Sequence, residues 1–197
     1  MSNYLAVDAS SRYLTVVAKS KKNLIVRHLS DCAMKHSVII MDEVDAALKE
    51  AELTPAECDF FCAVTGPGSF TGIRIGISTV KGLALGAGKP LLGITSFDLI
   101  AYNVNSENFC VVIDAAHSHF YAKGYGKSEF APAYLNLEEV EGLGCPLYGF
   151  EELPLKNYTR LDIKECLPVA IGKSAGNLTD NIAALYVRKS QAEEGRK

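Results

Sequence analysis

The sequence lacks the features that mark several classes of protein. No uninterrupted apolar run approaches about 18 residues, so we expect no membrane-spanning helix. The N-terminal stretch MSNYLAVDAS has no charged region followed by a long apolar run, which predicts that there is no signal peptide. The formal net charge of −3 provides no broad basic surface, so this chain alone is a poor candidate for binding nucleic acid.

The cysteines form no metal or redox motif, although there are six of them. No C-x-x-C is present, and no cysteines and histidines have zinc-finger spacing. Most of them lie in apolar surroundings, such as FCAV around Cys62 and FCVV around Cys110. Such thiols are typical of reduced, buried cysteines in a cytoplasmic protein.

What the sequence does contain is an alternation of strand and helix patterns over 197 residues, enough for two small lobes. The box Thr54-Pro55-Ala56-Glu57 predicts the start of a short helix. The polar segment 103–108 predicts a boundary between an N-terminal lobe, 1–104, and a smaller C-terminal lobe, 105–197. The first lobe is predicted to begin with a three-strand meander at 4–9, 13–19 and 23–29. A helix at 34–51, a strand at 59–65, a second helix at 71–87 and another strand at 91–95 are predicted to follow.

The second lobe begins with two predicted strands, at 109–115 and 119–125. Residues 126–168 carry weak signals, which predict short strands and loops. The segment beginning VAIGKS at residue 169 is predicted to form a short strand followed by a helix or turn. The whole pattern predicts an α/β fold of two lobes with mixed β-sheets flanked by helices.

The stretch GPGSFTGIRIG at 66–76 is the most unusual part of the chain. It lies between a predicted strand and a predicted helix, where backbone amides could bind a phosphate. The P-loop pattern fails, however, because Ile73 stands where lysine is required. The Rossmann pattern fails as well, because Thr71 stands where glycine is required.

Close packing is the other interpretation of these glycines. Gly72, Gly76, Thr79 and Leu83 fall on one stripe of the predicted helix, and Ile73 and Val80 lie beside it. The apolar or small arc exceeds half of the circumference, more than one sheet requires, so the helix is expected to have two burial partners. The second partner is either the chain's own 34–51 helix or a helix of another chain, and we favour another chain.

The segment AVTGPGSFTGIRIGISTVKGLALG resembles the signature of the TsaB (YeaZ) family, a bacterial subunit of the machinery that makes N6-threonylcarbamoyladenosine on tRNA. The rest of the chain agrees with this resemblance in LAVDAS, in the KHS at residues 35–37, in VVIDAAHSHFYAKGY and in ALYVRKSQAEE. The resemblance implies the actin/Hsp70/sugar-kinase type of fold, with two ribonuclease H-like lobes.

The resemblance also implies a role. The chain would be a non-catalytic accessory subunit that pairs with a TsaD-type catalytic subunit, joined by a TsaE-type ATPase, in transfer of the threonylcarbamoyl group to adenosine 37 of tRNA. It would form a homodimer when TsaD is absent, and it would meet tRNA only indirectly. The first two long helices would form the contact, which implies the interface residues His36, Ile40, Met41, Val44, Gly72, Ile73, Gly76, Thr79, Val80 and Leu83.

Departures from related ATP-binding proteins argue against catalysis by this chain. The turn Asp8-Ala9-Ser10-Ser11-Arg12 has no glycine to wrap phosphates, so we expect no nucleotide on the isolated chain. ATP or ADP at the interface with the partner would meet Asp8, Ser10, Ser11 and Arg74.

The histidines argue against a metal site. Ile40 stands four residues after His36, which leaves no H-x-x-x-H pair, and His117 and His119 lack a third ligand. We therefore expect no metal and no metallopeptidase activity. The alternative function is a stand-alone phosphotransferase or ATPase of the same superfold.

Overall fold

The computed structural model describes residues 2–32 and 34–188. It contains two five-stranded sheets, one from each half of the chain, and each sheet mixes parallel and antiparallel strands. The predicted two-lobed α/β fold with mixed sheets is therefore confirmed. No helix in the described part of the chain is long and apolar enough to cross a membrane.

The first lobe contains β1 (Tyr4–Asp8), β2 (Leu14–Lys19), β3 (Leu24–Leu29), α1 (His36–Glu50), β4 (Phe60–Val64), α2 (Phe70–Ala87), β5 (Leu91–Ile94) and α3 (Ser96–Ala101). Its strand order is β3-β2-β1-β4-β5; the first three strands form the predicted antiparallel meander, and β1, β4 and β5 are parallel. Both faces of the sheet are covered, which is why β1 and β4 are almost continuously apolar and fully buried.

The second lobe contains β6 (Phe109–Asp114), β7 (His119–Tyr125), β8 (Phe130–Asn136), α4 (Leu137–Glu141), β9 (Leu147–Gly149), β10 (Tyr158–Arg160) and α5 (Ile163–Ser174). The strand order is β10-β9-β6-β7-β8. The strands β6, β7 and β8 form a second meander, and β9 pairs parallel with both β6 and β10. The central strands of the two sheets, β1 and β6, therefore have the same pairing: each is antiparallel to the next strand of the chain on one side and parallel to a later strand on the other.

Two local predictions are corrected by the structure. The box at Thr54 closes as predicted, with its backbone N–H bonded to Glu57, but it starts only one 3-10 turn, Pro55–Glu57, because β4 begins soon after. Residues 169–174 belong to α5 and are not a strand. Asp162 caps that helix by accepting a hydrogen bond from the Lys164 N–H (2.9 Å), and its buried residues recur at helical spacing.

The two faces of the first sheet have different coverings. One face packs against α1 and α2, and the other packs against α3, α5 and the second lobe. Residues 102–108 connect α3 to β6, so the predicted boundary falls in the connection between the sheets. The C-terminal half nevertheless returns to the first lobe, since α5 contacts β2 and β5.

The segment 179–188 also returns to the first lobe. Thr179 pairs with Leu91, and the Leu185 N–H donates to the Thr65 carbonyl oxygen (2.8 Å). It contains the first part of the family-like ending ALYVRKSQAEE. Residues 189–194 of that ending lie outside the described residues.

Candidate functional site

The GPGSFTG loop packs against the turn that follows β1. Ser69 begins α2 by accepting a hydrogen bond from the Gly72 N–H (3.2 Å), and its own N–H donates to the Ser10 carbonyl oxygen (2.6 Å). A β-carbon at Gly68 would collide with that carbonyl oxygen, and one at Gly72 would collide with the Ala9 carbonyl oxygen. Gly68 also has a positive φ of 154°. These glycines therefore allow close contact within the chain.

The remaining glycines of α2 divide into two kinds. A β-carbon at Gly76 would meet Ala9 and Val7 of the same chain, at 3.6 and 3.8 Å. At Gly82 and Gly86 it would meet no atom of the described residues within 4 Å, because these positions face away from the sheet. The surface against Gly72 and Gly76 is the end of β1 and the turn after it, which belong to the chain's own sheet, the first of the two expected burial partners. The second partner stays a prediction.

Most of the predicted interface residues are buried within the first lobe. Thr79 and Leu83 are half-buried, and Met41 is 45% exposed. In this structure the other seven are unavailable to a partner, because α1 and α2 pack them onto the first sheet: His36, Ile40, Val44, Gly72, Ile73, Gly76 and Val80. Pairing through α1 and α2 stays a prediction, and it depends on residues of the opposite face.

His36, one of the predicted interface residues, is buried within the chain. Its Nε2 atom lies 3.1 Å from the Tyr13 carbonyl oxygen and 3.7 Å from the Cys32 Sγ atom. The ring is buried with these partners, so it joins the start of α1 to the meander.

The outer face of the two helices carries large apolar side chains. Leu85 on α2 is 86% exposed and Val38 on α1 is 75% exposed. The two helices lie beside each other on the same face of the sheet. We call Val38, Met41, Gly82, Leu85 and Gly86 the outer helix face. Sequence reasoning missed Val38 and Leu85, although Leu85 follows the polar Ser78 and Lys81 at helical spacing, where an apolar residue is unexpected.

A second feature is a cleft of about 540 Å³ between the two lobes. It is lined by the turn 10–12, the first residues of α1, residues 68–72 at the start of α2, and residues 114–116 after β6. Each lobe contributes a similar turn: Asp8 Oδ1 accepts the Ser10 N–H (2.9 Å), and Asp114 Oδ1 accepts the Ala116 N–H (2.9 Å). The cleft is therefore bounded by two matching strand ends that carry carboxylates.

Glu151 also lines this cleft, and the pKa of its carboxyl is perturbed. Burial, and to a lesser extent the charges of Asp114 and Asp8, raise the pKa of its carboxyl to about 7. Its Oε2 atom has no hydrogen-bond partner among the described residues, and neither has Asp8 Oδ2. Burial also raises the pKa of Asp8, while the bonds from Ser10 lower it. These carboxyl groups favour the protonated state, since a buried charge without a partner is costly.

The structure brings together only some of the predicted nucleotide contacts. Ser10 and Ser11 line the cleft, and Asp8 lies buried beneath Ser10. Arg74 does not line it: its guanidinium lies 3.8 Å from the centre of the Phe70 ring, and its Nε donates to the Tyr186 hydroxyl (2.9 Å).

The histidines of the second lobe are separated by a turn. His117 has a positive φ of 53° and precedes β7, so it does not share a strand face with His119. The His119 ring stacks on Tyr134 at 4.7 Å. Within residues 2–32 and 34–188, no three His, Cys, Asp or Glu side chains are grouped so that they could hold a metal ion.

Comparison with known proteins gives one family and several relatives. The family model described as "TsaD: tRNA N6-adenosine threonylcarbamoyltransferase" matches residues 30–171. The tRNA threonylcarbamoyladenosine biosynthesis protein TsaB of Bacillus subtilis is 29% identical over 99 residues, which are 50% of this chain and 43% of that protein. The TsaB of Escherichia coli is 30% identical over 129 residues, 64% of this chain and 55% of that protein. The chain thus spans about half the length of the curated relatives it matches.

Solved structures agree with the fold. YeaZ from Pseudomonas aeruginosa superposes with a TM-score of 0.73 at 20% identity, over 94% of this chain and 100% of that one. A second structure from that organism, an uncharacterized protein with similarity to peptidase YeaZ, has a TM-score of 0.76 at 22% identity, over 95% and 100%.

Proposed function

Because the chain belongs to the TsaD family and matches its TsaB relatives, we propose that it acts in the biosynthesis of threonylcarbamoyladenosine on tRNA. Its proposed role is that of an accessory subunit without a catalytic site of its own. It would pair with a TsaD-type subunit, which a TsaE-type ATPase joins, in the cytoplasm. It would meet tRNA only through that assembly.

The outer helix face is the observation that supports this role. Two large apolar side chains, Leu85 at 86% and Val38 at 75% exposure, lie on neighbouring helices and are not covered by any of the described residues. Glycine inside a helix costs about 1 kcal/mol relative to alanine, and in the part of the chain that the structure describes no close contact requires glycine at position 82 or 86. Close approach by a helix of another chain explains both features, because it buries the apolar side chains and needs small residues.

The occupant we propose for this face is the TsaD-type paralogue. A paralogue of similar fold would present its own first two helices, so helices would pack against helices across the contact. A second copy of this chain would use the same face, which is why a homodimer is expected only when the paralogue is absent. ATP or ADP near Ser10 and Ser11 would then lie close to the contact, because the start of α2 lines the cleft.

The test is co-purification of the chain with the TsaD-type protein of the same organism. Leu85→Asp should weaken pairing at least about 10-fold, since it places a charge in the centre of the apolar contact. Val169→Asp is the matched control, because Val169 is also an exposed apolar residue on a helix but lies on α5. Equal retention of the paralogue by wild type and Leu85→Asp would rule out this face.

The interlobe cleft favours the alternative, a stand-alone phosphotransferase or ATPase. Asp8 and Asp114 lie at matching strand ends, one in each lobe, as an enzyme with its site between the lobes would require. Titration of the isolated chain with ATP and Mg²⁺ in a calorimeter separates the two proposals. Tight binding with turnover would support the enzyme, and pairing without it would support the accessory subunit.

A further inference from the structure

Two buried cysteines of the second lobe lie in direct contact. The Sγ atoms of Cys110, on β6, and Cys145, before β9, are 2.7 Å apart. Both side chains are buried in a small core with Val112 and Phe120. The other four cysteines have no sulfur–sulfur contact.

The backbone holds these two residues together. The strands β6 and β9 are parallel, and Cys110 stands opposite Leu147. The Cys110 N–H donates to the Pro146 carbonyl oxygen (2.9 Å), next to Cys145. The contact therefore follows from the register of the sheet, so rotation of one side chain would not abolish the proximity.

The surroundings suit neither a metal ligand nor a nucleophile. Neither cysteine belongs to a group of three potential metal ligands among the described residues. Burial raises the pKa of the Cys110 thiol, and the adjoining Cys145 thiol raises it further. A thiol with a raised pKa is a poor nucleophile in the closed structure, so its reactions need local opening.

The segment before Cys145 provides a route for such opening. Gly144 has a positive φ of 66°, and a β-carbon there would meet no atom of residues 2–32 and 34–188 within 4 Å. Only residues 142–146 separate α4 from β9, and Gly142, Gly144 and Pro146 are exposed. Because Cys145 lies in this connection and Cys110 lies in β6, local opening of residues 142–146 would expose Cys145 before Cys110.

We propose that Cys110 and Cys145 are a site of reversible disulfide formation with a small-molecule disulfide such as oxidised glutathione. The Cys145 thiol loses its proton and its sulfur attacks one sulfur of the oxidant. The oxidant's S–S bond breaks, and one small thiol leaves with a proton. Cys110, deprotonated in turn, attacks the Cys145 sulfur and releases the second small thiol. Two protein thiols are oxidised and one small disulfide is reduced to two thiols.

The product would join the segment after α4 to the centre of the second sheet. The closed loop contains β7, β8 and α4, and a cross-link across it restricts the unfolded chain. We expect the oxidised protein to melt higher by on the order of 5 °C, and a reductant to reverse the change.

The experiment uses the folded full chain with oxidised glutathione, followed by an acid quench, denaturation and alkylation. We expect a product lighter by two hydrogens, with two fewer alkylatable thiols than the six of the reduced chain. Peptide mapping should join Cys110 to Cys145. Cys110→Ser and Cys145→Ser should each lose this product, and Cys166→Ser, a buried cysteine of α5, should keep it.

Several results would overturn the proposal. These are a linked peptide that joins other cysteines, a glutathione adduct on Cys145 that does not progress, or a product that forms only after denaturation. Mapping of the wild-type chain decides the matter even where a serine variant folds poorly. None of these measurements depends on pairing with a TsaD-type subunit.

Discussion

Replacing Glu151 by glutamine should remove a pH dependence of stability that begins in the interlobe cleft. The Glu151 carboxyl faces Asp8 at the end of β1 and Asp114 at the end of β6, and Tyr158 of β10 donates to its backbone carbonyl oxygen (2.7 Å). No cation pairs with it among the described residues. Burial first, then the two carboxylates, raise its pKa from 4.5 to about 7.

The sign of the effect follows from where the proton binds. The folded state holds this proton up to about pH 7, whereas the unfolded chain releases it near 4.5. The contribution to the free energy of unfolding is therefore complete below pH 4.5 and is lost as the pH rises through 7. A pKa difference of this size corresponds to about 3 kcal/mol. Because the carboxyl borders a cleft open to water, we expect about 2 kcal/mol between pH 5 and 8.

The assay is urea unfolding of wild type and Glu151→Gln at several pH values between 5 and 8. The wild-type free energy of unfolding should fall relative to the variant as the pH rises, since glutamine has no proton to lose. Asp8 has a pKa raised in the same direction, and it is present in both proteins, so the difference between them isolates Glu151. Parallel curves for the two proteins would refute the reasoning, because they would mean that Glu151 ionises freely in the folded state.

Further predictions concern α2. Gly76→Leu should unfold the isolated chain, because the new side chain would enter the space of Ala9, whereas Gly82→Ala should raise the free energy of unfolding by up to about 1 kcal/mol and weaken pairing. Thermal melts and co-purification measure both, and a folded Gly76→Leu monomer would show that the contact with β1 is dispensable. Ser69→Ala should cost about 1 kcal/mol in urea unfolding through loss of the cap, with Ser78→Ala as an exposed control in the same helix. Equal costs at the two serines would contradict the capping role.

The elements predicted well from sequence are those whose signals are local. The meander, β4 and α2 follow from runs of β-rich residues, from apolar periodicity and from the glycine at the end of α2, and each of these depends on near neighbours. The helix α5 was missed because Pro168 lies inside it, and proline normally argues against a helix interior. Burial of Cys166 and Leu167 against the first lobe outweighs that local preference.

The candidate site was predicted less well, for a physical reason. Periodicity shows that the Gly72–Gly76 stripe of α2 is covered, but it carries no information about which surface covers it. The covering surface is the turn after β1, more than 60 residues earlier, so only the folded chain reveals it. The outward face had a signal of its own, an apolar Leu85 among polar residues, and that signal was available from the spacing alone.

The position of α2 links the two candidate surfaces of this protein. Its first turn is held against the turn after β1 by Gly68, Gly72 and the Ser69 N–H, and the same turn borders the interlobe cleft. Its last turns carry Leu85 on the outer helix face. A helix transmits displacement along its axis because its hydrogen bonds keep its length fixed. A partner that shifts α2 would therefore also shift one wall of the cleft, so the ionisation of Glu151 should respond to pairing. Measuring the pH dependence of Glu151→Gln and wild type in the paired state tests that link directly.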